Sequence, residues 1–350
     1  MSTIKVEVTR IDEIRPHPNA DSLELAIVGG WQMCVKKGLY QAGSEVVYFE
    51  PGTVLPLEVS DRLGVTRYMA EKTDIHGHRV KLIHRVRLRG EPSFGLVIAP
   101  DAGMQPGQDV AEHYGAVKFH PPIKTSAGDA ESADSRFPPY TEIENLRSYA
   151  TIFQEGEEVV ATEKIHGTNC RVGYVLNYGR DLQWMAGSKS VRRREPESKE
   201  ANRYWFPLTL PGVEALLQSL ADQGIPAAVL YGEVFGPGIQ SYQYGQTGLA
   251  FRAFDLLAGD HYLNHDDFLR LCHEHQVAVA PEIYRGPYSL ATIKKLSDGA
   301  SLTGGDHGRE GVVVKPTVER SDPTIGRVIL KYIGDTYLFG QAAEEDTTDA

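Results

Sequence analysis

A stretch rich in proline and small polar residues, at about positions 120–140, constrains the fold of this chain most strongly. It contains two proline pairs and no periodic apolar pattern, which is typical of a linker between domains. The chain has 350 residues, and a typical domain has about 150. The expected divisions are a first domain over 1–119, a linker over 120–140, a second domain over 141–338 and an acidic tail over 339–350.

The two sides of this stretch have different patterns. Before it, short β-like apolar runs alternate with glycine, proline and asparagine turns, which favours a small β-barrel. After it, strand-like runs are interleaved with three amphipathic helix patterns, at 213–223, 265–276 and 290–298. Asn264 stands where the second helix needs an N-cap. The predicted fold class is therefore α+β, with a β-barrel followed by a mixed α/β domain.

Charge and composition narrow the setting of the protein. The formal net charge is −11, so any nucleic-acid surface has to be local. Cys34, Cys170 and Cys272 are far apart and lack metal-binding spacing, which indicates a reducing compartment. No run approaches the roughly 18 apolar residues that a membrane span needs, and the first residues lack a signal-peptide pattern. We expect a cytoplasmic protein with no membrane contact.

The most informative segment is Glu163–Asn169, with the sequence EKIHGTN. Lys164 ends a predicted strand, and Gly167 permits a tight turn that would leave the amine facing a cavity. A lysine acts as a nucleophile when it is neutral, and burial or a neighbouring positive charge lowers its pKa. The alternative interpretation is a lysine that reaches solvent from a strand end, with Gly167 serving only the turn.

Four further segments follow this lysine along the chain: Tyr231–Gly236, Phe251–Leu256, Arg309–Pro316 and Val328–Tyr332. The series, in this order, resembles the covalent nucleotidyltransferase superfamily of polynucleotide ligases and mRNA capping enzymes. The form EKIHGTN, with histidine where DNA ligases usually have aspartate, is most similar to the ATP-dependent RNA ligases. The resemblance covers roughly residues 140–335 and implies an ATP-grasp-like ligase adenylation domain.

The resemblance implies a role for each charged residue of the motifs. Lys164 would attack the α-phosphate of ATP, Glu233 would contact the ribose, and Glu310 would bind Mg²⁺ or Mn²⁺. Glu233 is a second candidate metal ligand, because carboxylates at strand ends suit a hard cation. Lys331 and Lys189 would hold the phosphates. Either carboxylate could instead be an exposed loop acid, and Lys189 could be a solvated strand end.

The resemblance also implies an adenine pocket. The base would lie between Phe254 and Val313, since adenine needs flat apolar faces. Phe251 is the competing aromatic, on the opposite face of the strand. The other expected ATP contacts are the backbone of Glu163 and Ile165 at the base edge and, nearer the phosphates, His166, Gly167 and Asn169.

The last motif departs from the pattern of the family. Ile329 occupies its first lysine slot, whereas Lys331 fills the second. The phosphate contact is therefore one lysine short, and Lys315 or an arginine is the expected substitute.

The N-terminal part carries a second, looser resemblance. Residues 15–24 and 87–99 are similar to the OB-type tRNA-binding domain of some synthetases, over roughly residues 1–110. Such OB-like domains bind nucleic acid by charge and by stacking of bases on aromatic side chains. The aromatic candidates here are Trp31, Tyr40 and Tyr48.

A basic patch between Lys72 and Arg89 is the predicted nucleic-acid surface. Strand alternation would place Arg85, Arg87 and Arg89 on one face. The alternative is an ordinary solvated sheet face. A second basic run, 192–203, is diluted by glutamates and is interpreted as a surface loop.

These motifs together predict an ATP-dependent RNA ligase that acts in RNA repair. It would join 3′-hydroxyl and 5′-phosphate ends through a lysyl-AMP intermediate and an adenylylated 5′ end. The expected partner is RNA or an RNA-containing nicked duplex, and no protein partner is indicated. Two alternatives stay open: a DNA ligase or guanylyltransferase of the same superfamily, and a noncatalytic tRNA- or RNA-binding protein built on the N-terminal domain.

Overall fold

The computed structural model describes residues 4–122, 129–177 and 181–340. The chain divides into two compact units, with a boundary between Pro122 and Ile123. Residues 341–350 of the expected acidic tail lie outside the described residues.

The first unit is rich in short strands. They are β1 (Val6–Arg10), β2 (Glu13–Pro16), β3 (Leu23–Val28), β4 (Trp31–Lys36), β5 (Glu45–Phe49), β6 (Thr53–Val54), β7 (Ala70–Thr73), β8 (Arg79–Leu82), β9 (Arg85–Leu88), β10 (Glu91–Phe94), β11 (Leu96–Ile98) and β12 (Val117–Lys118). One α-helix, α1 (Leu57–Arg62), and a 3₁₀ turn (Thr66–Tyr68) follow β6. Alternating side chains of β1 and β5 bury Val6, Val8, Val47 and Phe49 in one core.

The strands of the first unit pair into four sheets among the described residues. Their orders are β1-β5-β11, β2-β3-β4, β9-β10 and β12-β6-β8-β7. Gly95, at φ 100°, separates β10 from β11, and a Cβ there would lie 2.3 Å from the Phe49 carbonyl oxygen. The described pairing does not close into a barrel, so the predicted β-rich unit is present without a continuous barrel ladder.

The second unit contains thirteen further strands and four helices within its described residues. The strands are β13 (Glu144–Asn145), β14 (Glu158–Lys164), β15 (Thr168–Leu176), β16 (Leu182–Ser188), β17 (Arg192–Arg193), β18 (Ala227–Phe235), β19 (Ala250–Ala258), β20 (His261–Tyr262), β21 (Glu282–Pro287), β22 (Gly311–Pro316), β23 (Ser321–Asp322), β24 (Gly326–Arg327) and β25 (Leu330–Ile333). The helices are α2 (Pro211–Asp222), α3 (His265–Glu274), α4 (Leu290–Ser297) and α5 (Asp335–Phe339), with a 3₁₀ turn at Phe206–Thr209.

Two larger sheets form the body of this unit. One has the order β13-β25-β22-β14-β21 and the other the order β17-β16-β15-β18-β19-β20. One face of the six-stranded sheet packs on α2 and α3, through side chains such as Leu216 and Phe268. Its other face shares a buried cluster with Val313 of β22 and with Ile329. The two sheets therefore pack against each other, and the candidate site lies on strands from both.

The three helices predicted from the apolar period are confirmed as α2, α3 and α4. Asn264 is the N-cap residue of α3, as predicted, but its side chain makes no capping bond. Its Oδ1 accepts the backbone N–H of Glu319 at 2.9 Å instead. The residue thus ties the start of α3 to the segment after β22.

The described part of the predicted linker, residues 129–140, packs on the second unit. Phe137 and Tyr140 are 1% and 4% exposed. The Tyr231 hydroxyl donates to the Pro138 carbonyl oxygen at 3.0 Å, and Arg193 pairs with Asp129 at 2.7 Å. The packed structure of this unit therefore begins before residue 141.

Candidate active site

Two neighbouring antiparallel strands bring Lys164 and Glu310 together. Lys164 is the last residue of β14 and lies opposite Gly311, the first residue of β22. Glu310 immediately precedes β22, and its Oε1 accepts a hydrogen bond from Lys164 Nζ at 2.5 Å. The lysine side chain is 28% exposed, whereas that of the glutamate is 3% exposed. The predicted nucleophile therefore keeps access from solvent while its partner is buried.

The charge state of Glu310 depends on its neighbours. Burial by itself raises the pKa of this carboxyl, but the Lys164 ammonium and the His166 ring lower it, and the net pKa is below the ordinary value. The carboxyl is consequently ionised at neutral pH. It holds Lys164 in a charged pair in the structure as it stands.

Gly167 is required by close packing rather than by its turn. Its φ is not in the positive range, but a Cβ would lie 2.4 Å from the Val234 carbonyl oxygen and 2.8 Å from Glu233 Cγ. The turn after Lys164 is thus pressed against β18. The sequence-based explanation, a glycine that permits the tight turn, did not include this close contact.

His166 belongs to this turn and is buried, at 4% exposed. Its Nδ1 lies 3.6 Å from Glu310 Oε2, and its Nε2 lies 3.3 Å from Ser241 Oγ. Its backbone N–H donates to the Tyr244 hydroxyl at 2.6 Å. The structure therefore brings His166 to the Lys164–Glu310 pair, and its predicted role near the phosphates stays a prediction.

Asn169 and Glu233 face each other across β15 and β18. Residues directly opposite in an antiparallel pair project to the same side of the sheet. The buried Asn169 Oδ1 accepts no hydrogen bond, and neither does the buried Glu310 Oε2. Such buried oxygen acceptors are suited to a ligand that donates or coordinates.

These oxygens fit a divalent cation of the Mg²⁺ type. No cluster of three or more acidic, histidine or cysteine side chains suited to a metal occurs among the described residues. Mg²⁺ at nucleotide sites is usually held by one or two carboxylates together with substrate phosphates, so a full protein cage is not required. Glu310 is the first candidate ligand, and Glu233 is the second.

A β-bulge presents Phe254 at the predicted adenine pocket. The register between β18 and β19 shifts after Tyr231, which pairs with Asp255, so Phe254 has no partner opposite it. Phe254 packs in the same buried cluster as Val313, and also in the cluster that contains Ile165. Phe251 packs in a different cluster with α2 and α3. The two phenylalanines therefore lie on opposite faces, as predicted.

Lys315 does not join the site around Lys164. It is 4% exposed, and its Nζ donates to the fully buried Asp255 at 3.0 Å. The second Asp255 oxygen accepts Arg327 at 2.6 Å and the Tyr140 hydroxyl at 2.7 Å. A lysine committed to this buried network cannot replace the missing lysine at Ile329. The expectation of a substitute at Lys315 is corrected by this pairing.

The two other predicted phosphate lysines lie in different surroundings. Lys331 of β25 lies directly opposite Val313 of β22, so both side chains project to the same face. Lys189 follows β16 and pairs with Glu142 at 2.9 Å, and the side chains are 45% and 51% exposed. Lys331 is thus on the pocket side, and the phosphate contact of Lys189 stays a prediction.

Glu163 has a role that the sequence reasoning missed. Its buried carboxylate accepts the Ser301 hydroxyl at 2.6 Å and the backbone N–H groups of Leu302 and Thr303 at 2.7 and 3.1 Å. Its own N–H donates to the Pro281 carbonyl oxygen at 2.8 Å, so this group is not available to the base edge. The glycine-rich run 299–308 was the available signal for a loop that needs such an anchor.

The predicted basic patch of the first unit is only partly basic. Glu71 pairs with Arg79 at 2.7 Å and with Lys81 at 3.1 Å. Arg89 follows the end of β9 at φ 52°, in the turn to β10, so it does not share the strand face of Arg85 and Arg87. The expected stripe of three arginines is therefore reduced to two.

The aromatic candidates in this unit are also constrained. Trp31 and Tyr48 are 8% and 9% exposed and belong to the core, where Trp31 packs on Phe94 and Tyr48 donates its hydroxyl to the Phe94 carbonyl. Tyr40 is half-buried. It is the one of the three aromatics whose burial leaves a face for stacking.

The second basic run is tied to residues 129–132. Arg194 pairs with Glu131 at 2.9 Å, and Arg192 donates to the Ser132 carbonyl oxygen at 3.3 Å. Arg192 and Arg193 thus form strand β17, whereas residues 194–203 lie outside any helix or strand and are mostly exposed, as expected of a surface loop.

Comparisons with known proteins agree with this arrangement. The profile of the RNA ligase family matches residues 157–333, and the profile of an OB-fold domain matches residues 5–100. Because the first profile covers half of the chain, the chain belongs to the RNA ligase family, as the motifs predicted. No curated protein sequence gives a significant match.

Several solved structures of one RNA ligase are similar over nearly the whole chain. The RNA ligase of Naegleria gruberi with PPi has a TM-score of 0.69 at 25% identity, over 95% of this chain and 97% of that chain. A mutant of that ligase with AMP and Mn has a TM-score of 0.71 at 25% identity, over 95% and 97%. Another mutant, with ATP and Mn, has a TM-score of 0.70 at 24% identity over 95% and 98%, which supports the fold alone.

No helix in the described part of the chain is long and apolar enough to cross a membrane.

Proposed function

We propose that this protein is an ATP-dependent RNA ligase that joins 3′-hydroxyl and 5′-phosphate ends through a lysyl-AMP on Lys164. The observation that carries the proposal is the contact of Lys164 Nζ with the buried Glu310 carboxylate, at 2.5 Å, in a lysine that is still 28% exposed. The Naegleria ligase structure at 25% identity was solved with AMP and Mn, which supports an adenine nucleotide and a divalent metal here.

The first step transfers AMP to the lysine. The neutral Lys164 Nζ attacks the α-phosphorus, a P–N bond forms, and the bond to the pyrophosphate oxygen breaks. Lys164 has to lose a proton first, because the ionised Glu310 stabilises its charged form. A divalent cation bound at Glu310 would supply positive charge to the leaving pyrophosphate.

Two further exchanges complete the reaction. An oxygen of the RNA 5′-phosphate attacks the phosphorus of lysyl-AMP, the P–N bond breaks, and Lys164 is released. The 3′-hydroxyl then attacks the activated 5′-phosphate, a phosphodiester forms, and AMP leaves. Both strand ends must be held in line for this step, which requires positioning more than further chemical groups.

The remaining residues have supporting roles in this proposal. Phe254 and Val313 line the adenine side, and Lys331, on the same face as Val313, supplies a cation for the phosphate. Asn169 offers its open Oδ1 beside Glu233, which would contact the ribose. The sheet face of Arg85 and Arg87 in the first unit is proposed to bind RNA phosphates.

The setting and biological role are also proposals. Cys34, Cys170 and Cys272 are all free thiols, which supports a reducing compartment and a cytoplasmic site of action. A role in RNA repair follows from the chemistry of sealing a 5′-phosphate to a 3′-hydroxyl.

The test is incubation of the purified protein with α-labelled ATP or GTP and Mg²⁺ or Mn²⁺, followed by separation on a denaturing gel. We expect acid-labile, base-stable label from ATP, since a phosphoramidate has that stability. Label from GTP alone would contradict the proposal. Adding nicked duplexes with RNA or DNA on either side, at one salt concentration, then identifies the strand that must be RNA.

A further inference from the structure

Tyr244 contacts both segments that carry the Lys164–Glu310 pair. It is 2% exposed, and its hydroxyl accepts the backbone N–H of His166 at 2.6 Å. Its ring packs edge-on against Phe235, with centroids 5.1 Å apart, and against His307 at 4.8 Å. Burial raises its pKa above the ordinary value, so the phenol remains protonated at neutral pH. No sequence motif pointed to this residue.

The backbone of Tyr244 is held in an unfavourable conformation. Its φ is 53°, which is uncommon and unfavourable for a residue other than glycine. Strain of this kind persists where the surroundings over-determine it, and it is frequent at functional sites. The surroundings here are two glycines of the loop 299–308.

Gly304 and Gly305 allow that loop to reach Tyr244. A Cβ at Gly304 would lie 2.6 Å from the Tyr244 carbonyl oxygen, and one at Gly305 would lie 3.3 Å from its Cα. Both glycines have positive φ, 136° and 78°. The loop closes at its base, where Arg309 N–H donates to the Gly299 carbonyl at 2.9 Å, and the next residue is Glu310.

We propose that Tyr244 is a positioning residue of the adenylylation step. Its hydroxyl fixes the turn that follows Lys164, and its backbone fixes the loop that leads to Glu310. This inference rests on the proposed function, in which Lys164 is the nucleophile. The Glu163 carboxylate binds the same loop at Ser301–Thr303. The loop is therefore anchored twice, by Glu163 on β14 and by Tyr244, whose hydroxyl binds the turn after Lys164.

The proposal predicts a loss of rate without a loss of ATP binding. Tyr244→Phe keeps the ring and leaves the buried His166 N–H without its acceptor, so the turn can shift by a fraction of an ångström. A misplacement of about 1 Å costs on the order of 100-fold in rate. We expect the maximal rate of lysyl-AMP formation to fall about 10- to 100-fold, with the KM for ATP changed less than about threefold.

The measurement is single-turnover label transfer from ATP over a range of ATP concentrations, with wild type, Tyr244→Phe and two references. Tyr174→Phe is the matched control, because Tyr174 is also fully buried and donates its hydroxyl to a backbone carbonyl, that of Ile225 at 3.0 Å. This hydrogen bond involves neither the turn after Lys164 nor the loop 299–308. We expect Tyr174→Phe to lower the melting temperature without slowing label transfer.

The outcomes separate this inference from the proposed function. Lys164→Ala, the second reference, abolishes label if the proposed function is right and retains it if that function is wrong. With Lys164→Ala inactive, a wild-type rate for Tyr244→Phe, or a raised KM with an unchanged rate, overturns the positioning role. If Tyr244→Phe does not fold, Gly304→Ala tests the same contact from the loop, and a wild-type rate in that variant also overturns the role.

Discussion

Two lysines on neighbouring strands differ in what their surroundings allow. Lys164 on β14 and Lys315 on β22 each bind a buried carboxylate, at 2.5 Å and 3.0 Å. Lys164 is 28% exposed and its partner Glu310 keeps one oxygen without a hydrogen bond. The Lys315 side chain is 5% exposed, and its partner Asp255 also accepts hydrogen bonds from Arg327 and Tyr140. Access and a partner oxygen without a hydrogen bond, rather than the lysine itself, distinguish the pair proposed to be reactive from the structural one.

The largest expected effect comes from removing the reactive lysine. Lys164→Ala should abolish labelling of the protein by ATP, because no other group at this position can form the phosphoramidate. Gel labelling measures this, and the melting temperature verifies that the variant is folded. Lys295→Ala, an exposed lysine of α4, is the control and should label normally. Retained label on Lys164→Ala would show that Lys164 is not the nucleophile and does not differ from Lys315 in this respect.

Removing the structural lysine should have the reverse effect. Lys315→Met leaves the buried Asp255 with one fewer cation, and breaking a buried pair in this way costs about 3 kcal/mol. We expect a lower free energy of unfolding in urea, with label transfer retained in the folded protein. Normal stability together with lost labelling would show that Lys315 acts on ATP after all.

A fall in pH should lower the free energy of unfolding through both buried carboxylates, Glu310 and Asp255. Despite burial, Lys164 and His166 lower the pKa of Glu310, and Lys315 and Arg327 lower that of Asp255. A lowered pKa contributes stability above the ordinary carboxyl pKa, and this contribution is lost as the pH falls through the folded value.

Glu310→Gln isolates the share of one carboxylate in this loss. As the pH falls below the ordinary carboxyl pKa, wild type should lose more unfolding free energy than the variant, because the variant has no carboxylate to protonate at this position. Urea unfolding at several pH values measures the difference. Equal losses in the two proteins would mean that Glu310 is not stabilised in its charged form.

The smallest effect is expected at Lys189. Its pair with Glu142 is about half exposed, and such surface pairs contribute less than about 0.5 kcal/mol. Lys189→Ala should therefore leave the unfolding free energy nearly unchanged, and the KM for ATP should rise less than tenfold. A larger rise in KM would place Lys189 beside Lys164 as a phosphate ligand.

The parts of the site that were predicted correctly are those that the order of the sequence motifs specifies. Lys164 and Glu310 are 146 residues apart, and the ordered series of motifs, through its resemblance to the ligases, assigned them to one site. The helices α2, α3 and α4 followed from their apolar period. These features depend on local pattern or on a recognised order of segments.

Features that depend on partners distant in the chain were not predicted. Tyr140 reaches Asp255 across 115 residues, and the linker-like composition around Tyr140 concealed this contact. Glu71 neutralises Arg79 and Lys81 through cross-strand pairing, which composition alone does not reveal. The contact between Tyr244 and the His166 backbone likewise has no local signature, because any buried tyrosine could make it.

The packing of residues 129–140 has a practical consequence for work with isolated fragments. A fragment cut at residue 141 would lose the Tyr140 phenol that covers Asp255 and the Phe137 carbonyl that accepts Arg171 at 3.1 Å. Buried charges would be left facing water at an exposed apolar surface, which favours aggregation during expression. A stand-alone catalytic fragment should therefore start upstream of Asp129.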